Sequence, residues 1–373
     1  MLYFDHAATS WPKPPEVRTA VLRALDDCGN PGRSSYGMSM RAAEMIYGCR
    51  AAAAKFFGSG SPERVIFTPN ATHALNVAIH GLLKPGDGAL ISCREHNAVL
   101  RPLYALSERG VRYDIFHTAA ECAGLIKPDT KAVICAHASN LTGRALPIRA
   151  LGALAHSRGL YMVVDAAQSA GHLPVNLLED NIDILCVPGH KGLLGPMGSG
   201  MLIASESFDL SALECLTQGG TGTLSLDPAM PPDPPERFES GTLSVPAIAG
   251  LRAALGFIGE RGIDYINEPG RRLRAAVLER LREFRRVRLY DVQPEPCAPI
   301  LLFNVEGMES EEVCALLGGG DEEICTRAGY HCSPLGHTEL GTLEHGAVRL
   351  SFGYGNDIRQ ADVFWKRMRE ILG

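Results

Sequence analysis

Short apolar runs alternate with longer segments in which apolar residues recur at helical spacing between residues 64 and 204. Runs such as AVICA and YMVVDAA are apolar on both faces, which is typical of strands buried in a parallel sheet. The alternation predicts an α/β fold whose large domain has a mostly parallel seven-stranded sheet covered by helices. The expected strands are residues 64–68, 89–92, 112–116, 132–136, 161–165, 182–187 and 201–204, and the expected helices are 15–27, 38–57, 97–109, 148–158 and one that follows the turn at 69–73 and runs to 83.

A proline-rich run, PAMPPDPP at residues 228–235, can be neither helix nor central strand and indicates a boundary or an arm across a surface. Beyond this run the pattern changes. We expect helices at 246–260, 264–284, 310–317 and 357–371, and strands near 287–290, 300–305, 323–327 and 346–352. The predicted organisation is therefore an N-terminal arm at 1–20 that packs with the small domain, a large domain at 21–245, and a smaller C-terminal α/β domain at 246–373.

Composition narrows the class of partner. A net charge of -6 and a pI near 6.1 give no electrostatic reason to expect binding to nucleic acid or to an anionic membrane. No run approaches the roughly 18 uninterrupted apolar residues of a spanning helix, and the N-terminus lacks the pattern of a signal peptide. We therefore expect a cytoplasmic protein with no nucleic acid and no membrane partner.

The eleven cysteines are odd in number, scattered and without a CxxC pair, which argues against both a disulfide framework and a structural metal site. Cys93, Cys135, Cys186 and Cys314 lie in apolar runs and are expected to be buried. Cys332 differs, because its segment RAGYHCSP has no apolar periodicity. A reactive thiol needs exposure and nearby positive charge or an imidazole, which Arg327, His331 and His337 could supply.

Lys191 is the first candidate for chemistry, in the segment DILCVPGHKGLLGPMGSG. The apolar run before it predicts a buried strand that ends where Pro188 and Gly189 turn the chain. Burial lowers the pKa of a lysine, and a neutral amine attacks a carbonyl group to form a Schiff base. The alternative is an exposed lysine in a glycine-rich loop.

A cofactor of the pyridoxal phosphate type needs a lysine, a carboxylate for its ring nitrogen, a phosphate cradle and a ring stacked on its face. Asp165 ends a predicted strand and suits the ring nitrogen, His96 suits the stack, and Gln168 suits the ring oxygen. Phosphate-binding candidates are His190 and the strand-turn-helix residues Thr72 and His73. Each has an ordinary alternative, such as capping a helix or satisfying local backbone groups.

Several motifs together resemble the cysteine desulfurases, which are closely related to the selenocysteine lyases within the class V group of fold type I pyridoxal phosphate enzymes. The resemblance covers nearly the whole chain. The motifs are DHAATS, FTPNATHALN, REHNAVLRP, HASNLTG, VVDAAQSAGH, GHKGLLGPMGSG, FESGTLS, RAGYHCSPLGH and VRLSFGYGN.

The resemblance implies a role for each matched residue. Lys191 resembles the Schiff-base lysine and Asp165 the partner of the pyridine nitrogen, with Gln168 on the phenolic oxygen. His96 resembles the stacking ring, which also belongs to the catalytic set. The remaining roles are the phosphate for Thr72 and His190, cofactor binding for His73, the phosphate of the other subunit's cofactor for Thr242, and the substrate carboxylate for Asn140, Arg327 and Arg349. Thr242 in this role implies a homodimer with shared sites.

Cys332 resembles the thiol that takes sulfur from L-cysteine as a persulfide and leaves L-alanine. The resemblance further implies transfer of this sulfur to an acceptor protein for iron–sulfur cluster or thio-cofactor synthesis. A selenocysteine lyase would use the same residues. A class V aminotransferase, for which Cys332 is dispensable, and a scaffold that only binds a sulfur-carrier partner also stay open.

One position departs from the family pattern. Pro188 stands two residues before His190, where many relatives have a serine or threonine that binds the phosphate. We expect this hydrogen bond to be missing or to come from Thr221 or Thr223.

Overall fold

A computed structural model describes residues 1–32 and 34–373. Its central sheet has seven strands, β2 (Val65–Thr68), β3 (Gly88–Ser92), β4 (Arg112–Phe116), β5 (Thr130–Ala136), β6 (Tyr161–Asp165), β7 (Ile184–Pro188) and β8 (Gly200–Ala204). Their order across the sheet is β2-β8-β7-β6-β5-β3-β4. Strands β3 to β7 run parallel, and β8 is antiparallel to both of its neighbours, β2 and β7. The α/β class and the mostly parallel seven-stranded sheet are thereby confirmed.

Helices cover both faces of this sheet because its inner strands are apolar on both sides. The helices of this part are α1 (Pro15–Asp27), α2 (Gly37–Phe57), α3 (Ala71–Leu82), α4 (Asn97–Ser107), α5 (Ala119–Leu125), α6 (Ile148–Ser157) and α7 (Val245–Arg261). Helix α5 was not predicted; it is short, and Thr118 caps it by accepting a hydrogen bond from the Glu121 N–H.

The C-terminal part has a second sheet, in which β10 pairs antiparallel with both β9 and β12. The strands of the C-terminal part are β9 (Val287–Tyr290), β10 (Ile300–Val305), β11 (Ile324–Cys325) and β12 (Val348–Ser351). The helices of this part are α8 (Ile263–Arg282), α9 (Ser310–Gly318), α10 (Pro334–Leu340) and α11 (Gln360–Leu372). The strand predicted at 323–327 is wrong in length, because only two residues, Ile324 and Cys325, form ladder pairs. Helix α10 was not predicted.

The N-terminal strand β1 (Leu2–Tyr3) pairs with β11, so the arm joins the C-terminal part. Leu2 and Phe4 belong to its hydrophobic core, where the ring of Phe4 lies 5.1 Å from that of Phe352 and 6.1 Å from that of Phe364. Helix α7, by contrast, packs against α1 and α2 in the core of the large sheet. The division of the chain at residues 20 and 245 stays a prediction.

Burial of the cysteines follows the apolar pattern. Cys93, Cys135 and Cys186 are buried, as expected, whereas Cys314 is only partly buried because it lies on helix α9 near the surface. Cys332 is exposed. Within the part of the chain that the structure describes, the helices fall short of the length and apolar character that a membrane span requires.

Replacing Phe4 tests whether the arm is an integral part of the C-terminal core. Phe4 is fully buried, and a buried Phe→Ala change costs about 3–5 kcal/mol because it removes apolar contacts and leaves a cavity. We expect Phe4→Ala to lower the urea midpoint of the C-terminal part accordingly. The matched control is Leu25→Ala, on the exposed face of α1, which should leave the midpoint within error. Equal midpoints for both variants would show that the arm does not support this core.

Candidate active site

Lys191 lies in the loop that joins β7 to β8, at the edge of the sheet where the parallel strands end. The Gly195 N–H donates to the Gly189 carbonyl over 2.7 Å, and the Leu194 N–H donates to the Lys191 carbonyl over 2.9 Å. Gly189 has no room for a side chain, since a Cβ there would lie 2.1 Å from Ser199 Oγ. The turn of this loop therefore places the Lys191 side chain in a defined direction.

A cavity of about 550 Å³ opens at this edge of the sheet. Seven of the predicted site residues line it, namely Thr72, His96, Asn140, Asp165, Gln168, His190 and Lys191. They come from five separate strand ends, which parallel βα topology brings to one edge. Asn70, Ala71, Arg94 and Pro188 complete its polar and backbone lining.

Enclosure controls the charge of Lys191 and Asp165. Burial lowers the pKa of Lys191 to about 8, and the nearby Asp165 carboxylate only partly opposes this. Burial raises the pKa of Asp165, against the Ala167 N–H that donates to its Oδ1 over 2.8 Å and against Lys191. The Lys191 amine can therefore exchange between its charged and neutral forms near neutral pH, which suits it to acid–base chemistry.

His96 is a neutral imidazole. Burial and then the charge of Lys191 lower its pKa to about 4. Its Nδ1 accepts a hydrogen bond from the Ala98 N–H over 3.0 Å at the start of α4, which leaves the ring proton on Nε2. An uncharged, fixed ring on the cavity wall suits stacking against an aromatic ligand.

The N-terminus of α3 forms one wall of the cavity through Asn70, Ala71 and Thr72. Asn70 caps the helix, with its Oδ1 accepting the His73 N–H over 2.8 Å. His73 itself lies half-buried beside the cavity and does not line it. Its role as a phosphate ligand stays a prediction.

Arg349 and Arg327 share one carboxylate, that of Asp5. Arg349 is buried and donates from Nη2 to Asp5 Oδ1 over 3.2 Å and from Nη1 to the Asn140 carbonyl over 3.1 Å. Arg327 is exposed and donates to Asp5 Oδ2 over 2.9 Å. Among the described residues, Arg349 Nε has no partner, so this guanidinium retains a free donor beside Asn140.

The Cys332 segment is held against the large sheet by three hydrogen bonds. The Asn97 N–H donates to the Cys332 carbonyl over 2.8 Å, Asn140 Nδ2 donates to the His331 carbonyl over 2.8 Å, and the Ser333 hydroxyl donates to the Glu95 carbonyl over 3.2 Å. His331 and Cys332 have φ angles of 48° and 55°, a region that side chains rarely occupy. The exposed thiol thus sits on a constrained turn.

Positive charge near Cys332 comes from arginine and not from histidine. Burial lowers the pKa of His331 to about 3 and also lowers that of His337, and the two rings stack at 5.8 Å. Both imidazoles are therefore neutral at physiological pH, so of the two expected aids to a thiolate they can offer an imidazole but no positive charge. Among the residues proposed from the sequence, Arg327 keeps this role.

Thr242 lies in a different cavity. It is exposed and shares this second cavity with Thr221, Arg50 and Glu239. Arg50 donates to Glu239 Oε1 over 2.9 Å, and the side chains of this pair are largely buried in the lining of the cavity. Within one chain, Thr242 therefore does not join the residues around Lys191.

Two residues at the site escaped the sequence analysis. Asp5 pairs with both arginines, and Lys13 donates to the His190 carbonyl over 2.7 Å. Glu95, at the end of a strand, lies fully buried with its pKa raised to about 8 by burial. The motifs DHAATS, WPKPP and REHN contain them. A charged residue inside such a motif could have pointed to a role at the site, but the motif does not show which residue it contacts.

The residues fit a pyridoxal phosphate cofactor. Lys191, Asp165 and His96 line one cavity with the N-terminus of α3, and His190 Nδ1 and Asn140 Oδ1 are buried polar atoms without a partner among the described residues. Unpartnered buried polar atoms are costly, and a polar ligand would satisfy them. Helix N-termini bind phosphate through free N–H groups.

Comparisons with known proteins agree with this arrangement. The sequence model of the family described as aminotransferase class-V matches residues 2–364. A probable cysteine desulfurase of Methanothermobacter thermautotrophicus is 31% identical, with 100% of this chain and 95% of the relative covered. A probable cysteine desulfurase of Pyrococcus abyssi is 30% identical, with 100% and 94% covered.

Solved structures of cysteine desulfurases are also similar to this chain. The apo structure of the cysteine desulfurase from Thermococcus onnurineus NA1 superposes with a TM-score of 0.91 at 32% identity, covering 100% of this chain and 94% of that one. The cysteine desulfurase CsdA from Escherichia coli superposes with a TM-score of 0.87 at 25% identity, covering 100% and 95%.

The lowered pKa of Lys191 can be tested in the cofactor-free protein by labelling with an amine reagent as a function of pH. We expect half-maximal labelling of Lys191 near pH 8, because enclosure disfavours its ammonium form. Unperturbed lysines titrate near about 10.4, so exposed lysines in the same sample provide the reference. Peptide mass spectrometry measures both. A Lys191 midpoint that coincides with the reference would contradict an enclosed amine.

Proposed function

This chain belongs to the aminotransferase class-V family, and from that premise we propose that it is a pyridoxal phosphate-dependent L-cysteine desulfurase. It converts L-cysteine to L-alanine and retains the sulfur as a persulfide on Cys332. The observation that carries the proposal is the cavity in which Lys191, Asp165 and His96 meet, next to the segment that presents Cys332.

In this proposal Lys191 binds the cofactor through its amine, and Asp165 keeps the ring nitrogen protonated. Thr72, His190 and the N-terminus of α3 support its phosphate. Gln168 donates from Nε2 to the Ala7 carbonyl over 3.0 Å, which fixes its amide in the cavity, where it would donate to the ring oxygen of the cofactor. When bound, pyridoxal phosphate supplies an aldehyde for amines and an electron sink for charge at the substrate Cα.

Lys191 also moves protons. With a pKa of about 8, a minor fraction of its amine is neutral at physiological pH, far more than for an exposed lysine, so it can accept the proton from the substrate Cα. The ammonium formed in this way is close enough to Asp165 to be stabilised by its charge. Lys191 can then return a proton to the carbon skeleton that becomes alanine.

Arg349 binds the substrate carboxylate. It is buried, its pKa is lowered by burial, and its Nε is free among the described residues, so a carboxylate ligand would satisfy a costly unpaired donor. Asn140 contacts both ends of this region, since its carbonyl accepts from Arg349 and its amide donates to His331. Arg327 lies nearer solvent and contributes longer-range attraction.

Cys332 removes the substrate sulfur. Its thiolate attacks the sulfur of L-cysteine, the carbon–sulfur bond breaks, and the electron pair of that bond remains on the carbon skeleton, which is then protonated to alanine. The product on the enzyme is a persulfide. Because Cys332 is exposed, an acceptor thiol can reach that persulfide from solvent, and we assign the sulfur to iron–sulfur cluster or thio-cofactor synthesis.

The enzyme acts as a homodimer in this proposal. Thr242 lies outside the Lys191 cavity of its own chain and is exposed, as expected of a residue that reaches the cofactor phosphate of a second copy.

Replacing Cys332 with alanine separates desulfuration from the rest of the chemistry. We expect the variant to keep a visible band near about 420 nm, typical of a lysine-bound pyridoxal imine. Release of sulfide and alanine from L-cysteine with a thiol reductant should fall by at least about a hundredfold, because the nucleophile is gone. Cys325→Ala is the matched control. A yellow variant that releases sulfide and alanine as fast as wild type would contradict the role of Cys332, and a colourless wild type that cannot be reconstituted would contradict the cofactor.

Hybrid dimers test the shared site. Thr242→Val alone should weaken pyridoxal phosphate binding by about tenfold, because a hydrogen bond to a charged phosphate is lost. Mixing Lys191→Ala chains with Thr242→Val chains should give hybrids with one fully intact site and wild-type affinity at that site. Cofactor titration of purified hybrids measures this. Hybrids with only weakened sites would show that Thr242 serves its own chain.

A further inference from the structure

The carbonyl oxygen of His190 accepts hydrogen bonds from an unusually large set of donors. Ser10 donates from its N–H over 3.0 Å and from its hydroxyl over 3.1 Å, and Thr9 Oγ1 donates over 3.1 Å. Lys13 Nζ makes the shortest of these contacts, at 2.7 Å. A carbonyl oxygen has two lone pairs, so four donors saturate this acceptor and hold its direction.

This carbonyl belongs to the peptide group that joins His190 to Lys191. Because a peptide group is planar, fixing its oxygen also fixes the N–H and the Cα of Lys191. On the other side, the Leu194 N–H donates to the Lys191 carbonyl over 2.9 Å. The backbone of the reactive lysine is therefore held from both directions.

Lys13 holds the His190 carbonyl and forms no ion pair with any of the described residues. Within the described residues, its ammonium has no carboxylate partner; it donates to Ser10 Oγ and to the His190 carbonyl, each over 2.7 Å. Burial lowers its pKa to about 8, so it is mostly charged at neutral pH and makes a charge-assisted hydrogen bond. Pro12 and Pro14 flank it and restrict its backbone.

The same short segment contacts two other parts of the site. Asp5 pairs with Arg349, and the Ala7 carbonyl accepts from Gln168. Residues 5–13 therefore link the lysine loop to the substrate arginine and to the ring-oxygen amide. We name residues 5–13 the N-terminal strap.

We propose that Lys13 is a positioning residue that holds the peptide carbonyl before Lys191 and so sets the position of the reactive amine. The inference rests on the proposed function for its catalytic consequence, but the contact itself exists in the cofactor-free protein. Lys13 acts through the His190 peptide and does not touch the substrate.

The first test is hydrogen–deuterium exchange on the cofactor-free protein. We expect Lys13→Met to speed exchange of the peptide spanning 189–195 by about tenfold, because the loop loses its strongest anchor. Lys13→Arg, which retains a cationic donor, should restore slow exchange. Ser10→Ala, which removes a hydroxyl donor, should give an intermediate rate. Lys55→Met, an exposed lysine on α2, is the matched control and should match wild type.

The second test is the rate at which the cofactor-free protein forms its visible imine with pyridoxal phosphate. Lys13→Met should slow this step by about tenfold or more, since a misplaced amine loses its orientation advantage. In the reconstituted enzyme, kcat should fall while KM for L-cysteine stays within about twofold, because Arg349 is untouched. Lys13→Arg should recover most of the loss.

The outcomes distinguish the inference from the function. Suppose that the wild type forms the imine. If Lys13→Met and Ser10→Ala then show the wild-type hydrogen–deuterium exchange and the wild-type rate of imine formation, the role of Lys13 is overturned and the desulfurase function is not. A wild type that forms no imine would overturn the proposed function itself. If Lys13→Met and Lys13→Arg lose melting temperature and activity in parallel without rescue, Lys13 is structural only, and the inference fails.

Discussion

The enclosure of a primary amine is the constraint on which this structure depends. An ammonium group is costly to remove from water, so a lysine held in a cavity shifts toward its neutral form. Lys191 shows this in a pKa of about 8, even with Asp165 nearby. Its neighbours contribute to this enclosure. The glycine-rich turn, the neutral His96 ring and the buried carboxyl of Asp165 surround the amine and keep water away from it.

Sequence patterns predicted the elements well where local chemistry decides them. The strand at 112–116 and the helix at 15–27 agree with the structure to the residue, because apolar periodicity and a proline start mark them clearly. The strand expected at 323–327 is only two residues long in the structure, since its partner is the equally short β1. Helix α10 was overlooked because a segment rich in glycine, proline and histidine lacks an apolar face.

Seven of the residues proposed from the sequence line the Lys191 cavity, but the contacts among the site residues could not be predicted. Strand-end residues such as Asp165 and His96 could be placed, since parallel strands end at one edge. The pairing of Asp5 with Arg349 could not, because it joins residues 344 positions apart through tertiary packing alone. The charge state of His331 was also beyond the sequence, as only the folded environment shows that its imidazole is desolvated and neutral.

The pairing of Asp5 with Arg349 has a consequence for how the protein is made. Ribosomal synthesis delivers domains from the N-terminus onward, so the central sheet and the Lys191 loop can form while Arg349 is still inside the translating machinery. The pairing of Asp5 with Arg349 can form only later, because the two residues are far apart in the sequence and such contacts form slowly. The loop that encloses Lys191 can thus form in the nascent protein before the arginine proposed to bind the substrate is in place.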